Sequence, residues 1–282
     1  MSTFDPRIPR SFAVQLGKEA LAISQTGKYD GPDGEVVIAA QLTASLKKTV
    51  YYGPEHQHAP AARGTHKAVF EVTNETTLSA HRRHQSKGRN VVSLNFASAT
   101  SPGGGFLTGS RAQEEYLCRS SALYLTLKDC AMYGYHRSKG DLLYSDAMIY
   151  SPDVPVFRDD KHELTAAPYN ASFITSAAPL AKHLSPPEMV QLPEILRARI
   201  HKILCVAQSH SHDSLILGAW GCGAFGNDGD QVANLFHRAL TVDFAGAFQE
   251  VTFAIVDTSP EQGFINPFAR RFTRQALQPS SP

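Results

Sequence analysis

The sequence predicts an α/β protein: a three-layer α/β/α sandwich around a mixed sheet, with an N-terminal accessory extension. Three observations lead there. Short apolar runs alternate with longer stretches of helical spacing through most of the chain, the pattern of a sheet covered by helices. Two of those runs, Val91-Val92-Ser93-Leu94-Asn95-Phe96 and Leu215-Ile216-Leu217, pass directly into glycine-rich loops and then into helix-like segments. The composition, 42% hydrophobic and 19% charged, is that of a chain with a sizeable core.

The 282 residues allow one large domain or two small ones. We expect residues 1–65 to form an accessory segment packed on the core, residues 66–276 to form the core, and residues 277–282 to form a frayed tail. A net charge of +1 gives no general grip on nucleic acid or acidic membranes. No apolar run is long enough to span a bilayer, and the opening MSTFDPRIPRSFAVQLG lacks the apolar core of a signal peptide. Cys118, Cys130, Cys205 and Cys222 form no CxxC pair and read as reduced thiols of a cytoplasmic protein. The histidine pairs His56/His58, His81/His84 and His210/His212 lack further ligands beside them, so no metal is expected. The same reading gives a monomer without a cofactor, a membrane or a sequence-specific nucleic-acid partner.

In chain order, residues 11–26 place apolar side chains at helical spacing and predict an opening helix. Asp30-Gly31-Pro32-Asp33-Gly34 is a turn cluster. A short strand over 35–39, a helix or loop over 40–48 and a strand over 49–52 follow, closed by Gly53-Pro54. The His-, Ala- and Pro-rich stretch 55–65 predicts an exposed loop. Residues 67–73 have the length and residue types of a strand, and Asn74 or Thr76 caps a helix that ends near Gly88. A core strand covers 90–96. A helix-like run extends from Tyr116 to Leu127, with Leu117, Ala122, Tyr124 and Leu125 turned inward and Cys118 in the core. Two short strands flank Ser151-Pro152 within 142–158, a polar loop spans 159–170, and a strand covers 171–175. A helix over 187–208 carries a break or kink near Pro193. The Leu215 strand, a helix from about 229 to 240, a strand over 251–256 and a last helix within 260–274 complete the chain.

The most informative stretch is Ser101-Pro102-Gly103-Gly104-Gly105-Phe106-Leu107-Thr108-Gly109-Ser110-Arg111-Ala112-Gln113-Glu114-Glu115. Three successive glycines let a ligand approach the main chain and permit positive φ. Ser110 and Gln113 fit the S-x-x-Q capping box, which makes Ser110 the expected N-cap. Glu114 and Glu115 then lie in the first helical turns, about 100° apart, so they serve different jobs. One can hold a ligand group while the other faces a reacting bond. The plainer alternative is that first-turn acids only complement the helix dipole.

The second stretch is Gly218-Ala219-Trp220-Gly221-Cys222-Gly223-Ala224-Phe225-Gly226-Asn227-Asp228. Bare backbone N–H groups before a helix make an anion site. No Gly-Lys-Ser/Thr is present, so this is not a P-loop. It matches G-x-G-x-x-G, and Asp257 is a candidate ribose-binding acid, but too little chain follows for a doubly wound dinucleotide fold. An ADP-like diphosphate remains the expected ligand. The alternative is a tight strand-helix turn that binds nothing.

Gly-Gly-Gly followed by Gln-Glu-Glu resembles the signature of poly(ADP-ribose) glycohydrolases. The string PGGGFLTGSRAQEEYLCRSS, preceded by LNFASA, is similar to the bacterial branch of that family. The resemblance implies a macrodomain core and cleavage of the ribose–ribose O-glycosidic bonds of poly(ADP-ribose), free or on modified proteins. It implies Glu115 as the catalytic acid/base and Glu114 as the holder of ribose hydroxyls, with Gln113 assisting. It further implies substrate binding by Asn95, by Gly103, Gly104 and Gly105, and by Gly221, Gly223, Ala224, Phe225, Gly226 and Asn227 of the diphosphate loop. Phe225 would pack against the distal ribose. The residues alone leave three other readings open: a module that binds ADP-ribose without cleaving it, a hydrolase of single ADP-ribosyl groups, and an unrelated nucleotide-binding enzyme.

Overall fold

The structure, a computed structural model, describes residues 8–273. The chain opens with α1 (Arg10–Thr26), the hairpin β1 (Lys28–Gly31) and β2 (Gly34–Val37), α2 (Ala39–Lys48) and β3 (Val50–Tyr52). Next come β4 (Val69–Thr73), α3 (Thr77–Gln85), β5 (Val91–Phe96), α4 (Gln113–Ser120), α5 (Leu123–Leu127) and α6 (Ala131–Lys139). The second half holds β6 (Met148–Arg158), β7 (Leu164–Ser176), α7 (Pro186–Ser209), β8 (Ser214–Leu217), α8 (Gly229–Arg238), β9 (Glu250–Ala254) and α9 (Asn266–Phe272).

Seven strands form one mixed sheet in the order β3-β6-β7-β5-β8-β9-β4. The pairs β3/β6 and β6/β7 are antiparallel, and β7, β5, β8, β9 and β4 run parallel. Strand alternation sends successive side chains to opposite faces. Val92 and Leu94 of β5 join Leu196, Ile200, Leu204, Val232, Phe236 and Phe268 beneath α7, α8 and α9. On the other face Leu78, Leu117, Leu123 and Met132 pack with Ile149, Val156 and Phe173. The sheet is therefore covered on both sides, and β8 is buried along its whole length, as expected for a central parallel strand.

Several local expectations are corrected, each for a tertiary reason. α4 starts at Gln113 with Ala112 as N-cap. Ser110 instead closes the glycine loop: its N–H donates to the Gly105 carbonyl, and its own carbonyl accepts from Arg119. The helix-like run 116–127 breaks because the Ala122 N–H donates to the Pro155 carbonyl and Ser121 bridges Val156. The two short strands expected around Ser151-Pro152 are one strand, with a bulge between Ser151 and Val154 that absorbs the proline; Asp153 takes φ 52° there. The polar stretch 159–170 is mostly strand, because Asp159 Oδ1 accepts from the Lys161 and Glu163 amides and turns the chain into β7. The last helix is confined to α9. β1 and α6 were not anticipated. Thr76, one of the two expected caps, accepts the Ser79 amide. Residues of the 1–65 segment supply β3 to the sheet, and the tail 277–282 lies outside the described residues.

Candidate active site

The parallel strands β5, β8 and β9 end along one edge of the sheet, where ligands of open α/β folds bind. A cavity of about 410 Å³ opens there, lined by Phe96–Ser98 at the end of β5, Ala219–Gly221 after β8 and Ala254–Val256 at the end of β9. The start of α4 completes it, with Gln113, Glu114 and Glu115 all in the lining.

The glycine loop carries the acids from behind. Gly103 and Gly104 adopt φ 68° and 59°, the left-handed region that a glycine occupies without strain. A Cβ on Gly104 would lie 2.2 Å from Glu115 Oε1 and 3.1 Å from Glu114 Oε2. The Gly105 N–H donates to Glu115 Oε1 at 2.9 Å. Glu115 Oε2 is buried and has no hydrogen-bond partner among the described residues. A buried carboxylate oxygen left in this state is costly unless a ligand serves it.

Glu114 is held more tightly. Its Oε2 accepts the Ser98 amide at 2.6 Å and its Oε1 accepts Asn95 Nδ2 at 3.3 Å. Burial pushes its pKa up to about 8, with the neighbouring Glu115 charge adding to the rise, although hydrogen bonds from Ser98, Asn95 and Gly103 pull the other way. Asn95 also donates to Thr175 Oγ1 at 3.1 Å. It sits behind the acid, outside the lining. Gln113 is committed at both ends of its amide: Oε1 accepts the Phe96 N–H at 2.9 Å, and Nε2 donates to the Leu94 carbonyl at 2.8 Å and Thr77 Oγ1 at 3.0 Å. It fastens α4 to the end of β5 and the start of α3.

The second loop is rigid at its base and open at its tip. Asn227 Nδ2 donates to the Pro179 and Gly221 carbonyls, and the Lys182 amide donates to the Phe225 carbonyl. Trp220 is fully buried and donates to the Ser176 carbonyl. The N–H groups of Gly221, Gly223, Ala224 and Phe225 donate to no described residue. Four free amides in a row of five residues make an anion cradle. The N-terminus of α8 itself is taken by the Asp228 side chain, which accepts the Gln231 amide. The donors that line the cavity belong to the loop, ahead of the helix end. Gly221, Gly223, Ala224 and Phe225 line the cavity, while Gly226 and Asn227 support the loop from below.

Asp257 is buried and lies outside the cavity lining. Its carboxylate accepts Ser259 and the Phe264 amide, which folds the 258–265 turn and brings Phe264 into the cavity wall, 43% exposed. Phe264, Phe96, Thr77 and Arg111 are lining residues that sequence reasoning missed; an aromatic side chain in a Gly-Phe turn after the last strand was the available signal for Phe264. His81 and His84 are core histidines bonded to Ser93 and Thr252, and burial pushes the Cys118 thiol well above its ordinary range. Among the described residues no group of three or more His, Cys, Asp or Glu side chains is arranged for a metal ion, and no helix is long and apolar enough to cross a membrane.

The family model for the catalytic domain of microbial-type PARG matches residues 17–159, a span that includes the glycine loop and α4. Among solved structures, poly(ADP-ribose) glycohydrolase from Thermomonospora curvata bound to the inhibitor ADP-HPD is 42% identical, with a TM-score of 0.86 over 93% of this chain and 100% of that one. The Deinococcus radiodurans poly(ADP-ribose) glycohydrolase in complex with ADP-ribose is 40% identical, with a TM-score of 0.80 over 84% of this chain and 99% of that one. No curated protein sequence matches. Sequence identity and backbone agreement of this order, sustained over nearly all of both molecules, establish that the chain belongs to the microbial-type poly(ADP-ribose) glycohydrolase (PARG) family.

Proposed function

We propose that the chain hydrolyses the ribose–ribose O-glycosidic bonds of poly(ADP-ribose) and releases ADP-ribose, with Glu115 as the acid/base. One observation carries this reading: in the wall of a cavity that also offers four unengaged loop amides, Glu115 has one oxygen fixed by the Gly105 amide and the other without a partner among the described residues. The amides of 221–225 hold the diphosphate of the terminal unit, and Phe225 packs on its distal ribose. Glu115 protonates the leaving 2′-oxygen as the anomeric C–O bond lengthens. The positive charge that grows on the sugar is oxocarbenium-like and is stabilised by the nearby diphosphate. Glu115 then takes a proton from the attacking water, which restores the acid.

Glu114 holds ribose hydroxyls. Its raised pKa lets it donate a hydrogen bond at neutral pH without adding its own negative charge to the site. Asn95, Gln113 and Gly103–Gly105 act one layer back, through the acids they hold. Phe264 offers an aromatic face for the adenine. Residues 66–276 form the catalytic core, with 1–65 as an accessory segment, and the protein works as a cytoplasmic monomer on poly(ADP-ribose) and modified proteins.

Glu115→Gln keeps the shape and the Gly105 contact but cannot deliver a proton. It should lower kcat by roughly 10²- to 10⁴-fold while ADP-ribose affinity, measured by titration calorimetry, stays within a few-fold. A variant with most of the wild-type rate would overturn the assignment.

A further inference from the structure

Arg111 is the sole cationic side chain in the cavity lining among the described residues, alongside the acids Glu75, Glu114 and Glu115. The cations around it are committed elsewhere. Arg83 pairs with Glu71 and Glu75 at 3.0 and 2.7 Å, Arg158 pairs with Glu19 at 2.6 Å, and buried Arg119 donates to the Ser110 carbonyl. Arg111 has no carboxylate partner among the described residues. Among the described residues it makes one hydrogen bond, from Nη1 to the Ile8 carbonyl at 2.8 Å.

That bond joins the arginine to the N-terminal segment. Ile8 lies just before α1, and α1 is seated on the glycine loop: Arg10 Nε donates to the Thr108 carbonyl at 2.9 Å, and Gly17 lies so close to Phe106 that a Cβ would sit 2.4 Å from its carbonyl oxygen. The guanidinium is thus steered by a backbone carbonyl, and its other N–H groups have no partner among the described residues. An arginine offers a planar fork of donors suited to phosphate. The loop amides of 221–225 already provide for one diphosphate, and they come from a different element. Arg111 is on the segment that carries Glu115, four residues before it. Arg111 and Glu115 both line the cavity.

We propose that Arg111 binds the diphosphate of the leaving ADP-ribose unit, and so favours polymer over single ADP-ribosyl groups on uncharged carriers. This rests on the glycohydrolase reading above. The accessory segment then acts in recognition of the leaving side, by holding the guanidinium through Ile8.

The test uses the full chain with Arg111→Ala and Arg111→Lys. The readouts are kcat/KM on poly(ADP-ribosyl)ated protein at several ionic strengths, and the Kd of ADP-ribose by calorimetry. Arg111→Ala should lower kcat/KM by roughly ten- to hundredfold, flatten its salt dependence, and leave the ADP-ribose Kd within about twofold. Arg111→Lys should recover part of the loss. Retained ADP-ribose binding also reports a folded variant; if Arg111→Ala does not fold, Arg111→Gln carries the same expectation. An unchanged kcat/KM would overturn the proposal. So would an ADP-ribose Kd that weakens as much as kcat/KM, because that assigns Arg111 to the terminal unit's diphosphate. Wild-type protein that releases no ADP-ribose would instead overturn the glycohydrolase reading itself, whatever Arg111 does.

Discussion

Glu115 owes its position to the absence of a side chain. Gly104 sits at φ 59°, and a Cβ on it would fall 2.2 Å from Glu115 Oε1. Gly104→Ala must therefore both strain the loop and push the carboxylate aside. Left-handed backbone at a non-glycine residue costs about 1–2 kcal/mol. We expect a melting temperature lower by several degrees and a kcat reduced by about 10²-fold, the loss that a misplacement of roughly 1 Å can bring. Calorimetry and initial rates check the two parts. Glu114 makes a different prediction. Its folded pKa of about 8 lies above the ordinary carboxylate value, so between about pH 4.5 and 8 the folded state binds a proton that the unfolded state has released. Stability contributed by this site therefore falls as pH rises through that window and levels off above it. Glu114→Gln should remove the slope, so its melting temperature gains on wild type from pH 5 to pH 8. Wild-type kcat/KM should also decline above about pH 8, as Glu114 ionises beside Glu115 and the substrate's diphosphate. The Gln variant should lack that limb.

At the scale of elements, the site is assembled from three strand-loop junctions, and their legibility in the sequence follows from chain distance. The glycine loop with Glu114 and Glu115 is one continuous string, and so is Gly221 to Asn227; both could be read because the residues that act together are neighbours in sequence. The Ser110 cap failed because the local capping-box pattern competes with loop closure through Gly105 and Arg119. The β6–β7 hairpin was hidden by Pro152 and by a polar turn built on Asp159. The Asp257 turn was misread for the same kind of reason: its acid looked free in sequence and is used to fold 258–265. That turn has a consequence for binding. Phe264 is 43% exposed in the cavity wall, and aromatic stacking on a base is worth about 1–3 kcal/mol when truncated to alanine. Phe264→Ala should weaken ADP-ribose binding by roughly ten- to hundredfold with kcat nearly unchanged, which separate KM, kcat and calorimetric measurements would show.

At the scale of the whole molecule, the sheet order brings the ends of β5, β8 and β9 side by side, and these carry the acids, the anion cradle and the Phe264 turn in that order along the chain. α1 closes over the back of the glycine loop through Arg10 and Gly17, so the described part of the N-terminal segment supports the acid from outside the cavity lining. We propose that this arrangement cleaves polymer through Glu115. The direct measurement is release of free ADP-ribose from poly(ADP-ribosyl)ated protein by the purified chain, with Glu115→Ala alongside. We predict rapid release by the wild type and loss of nearly all of it in the variant, with ADP-ribose still bound by both. Tight binding with no release by the wild type, or release that survives Glu115→Ala, would contradict it.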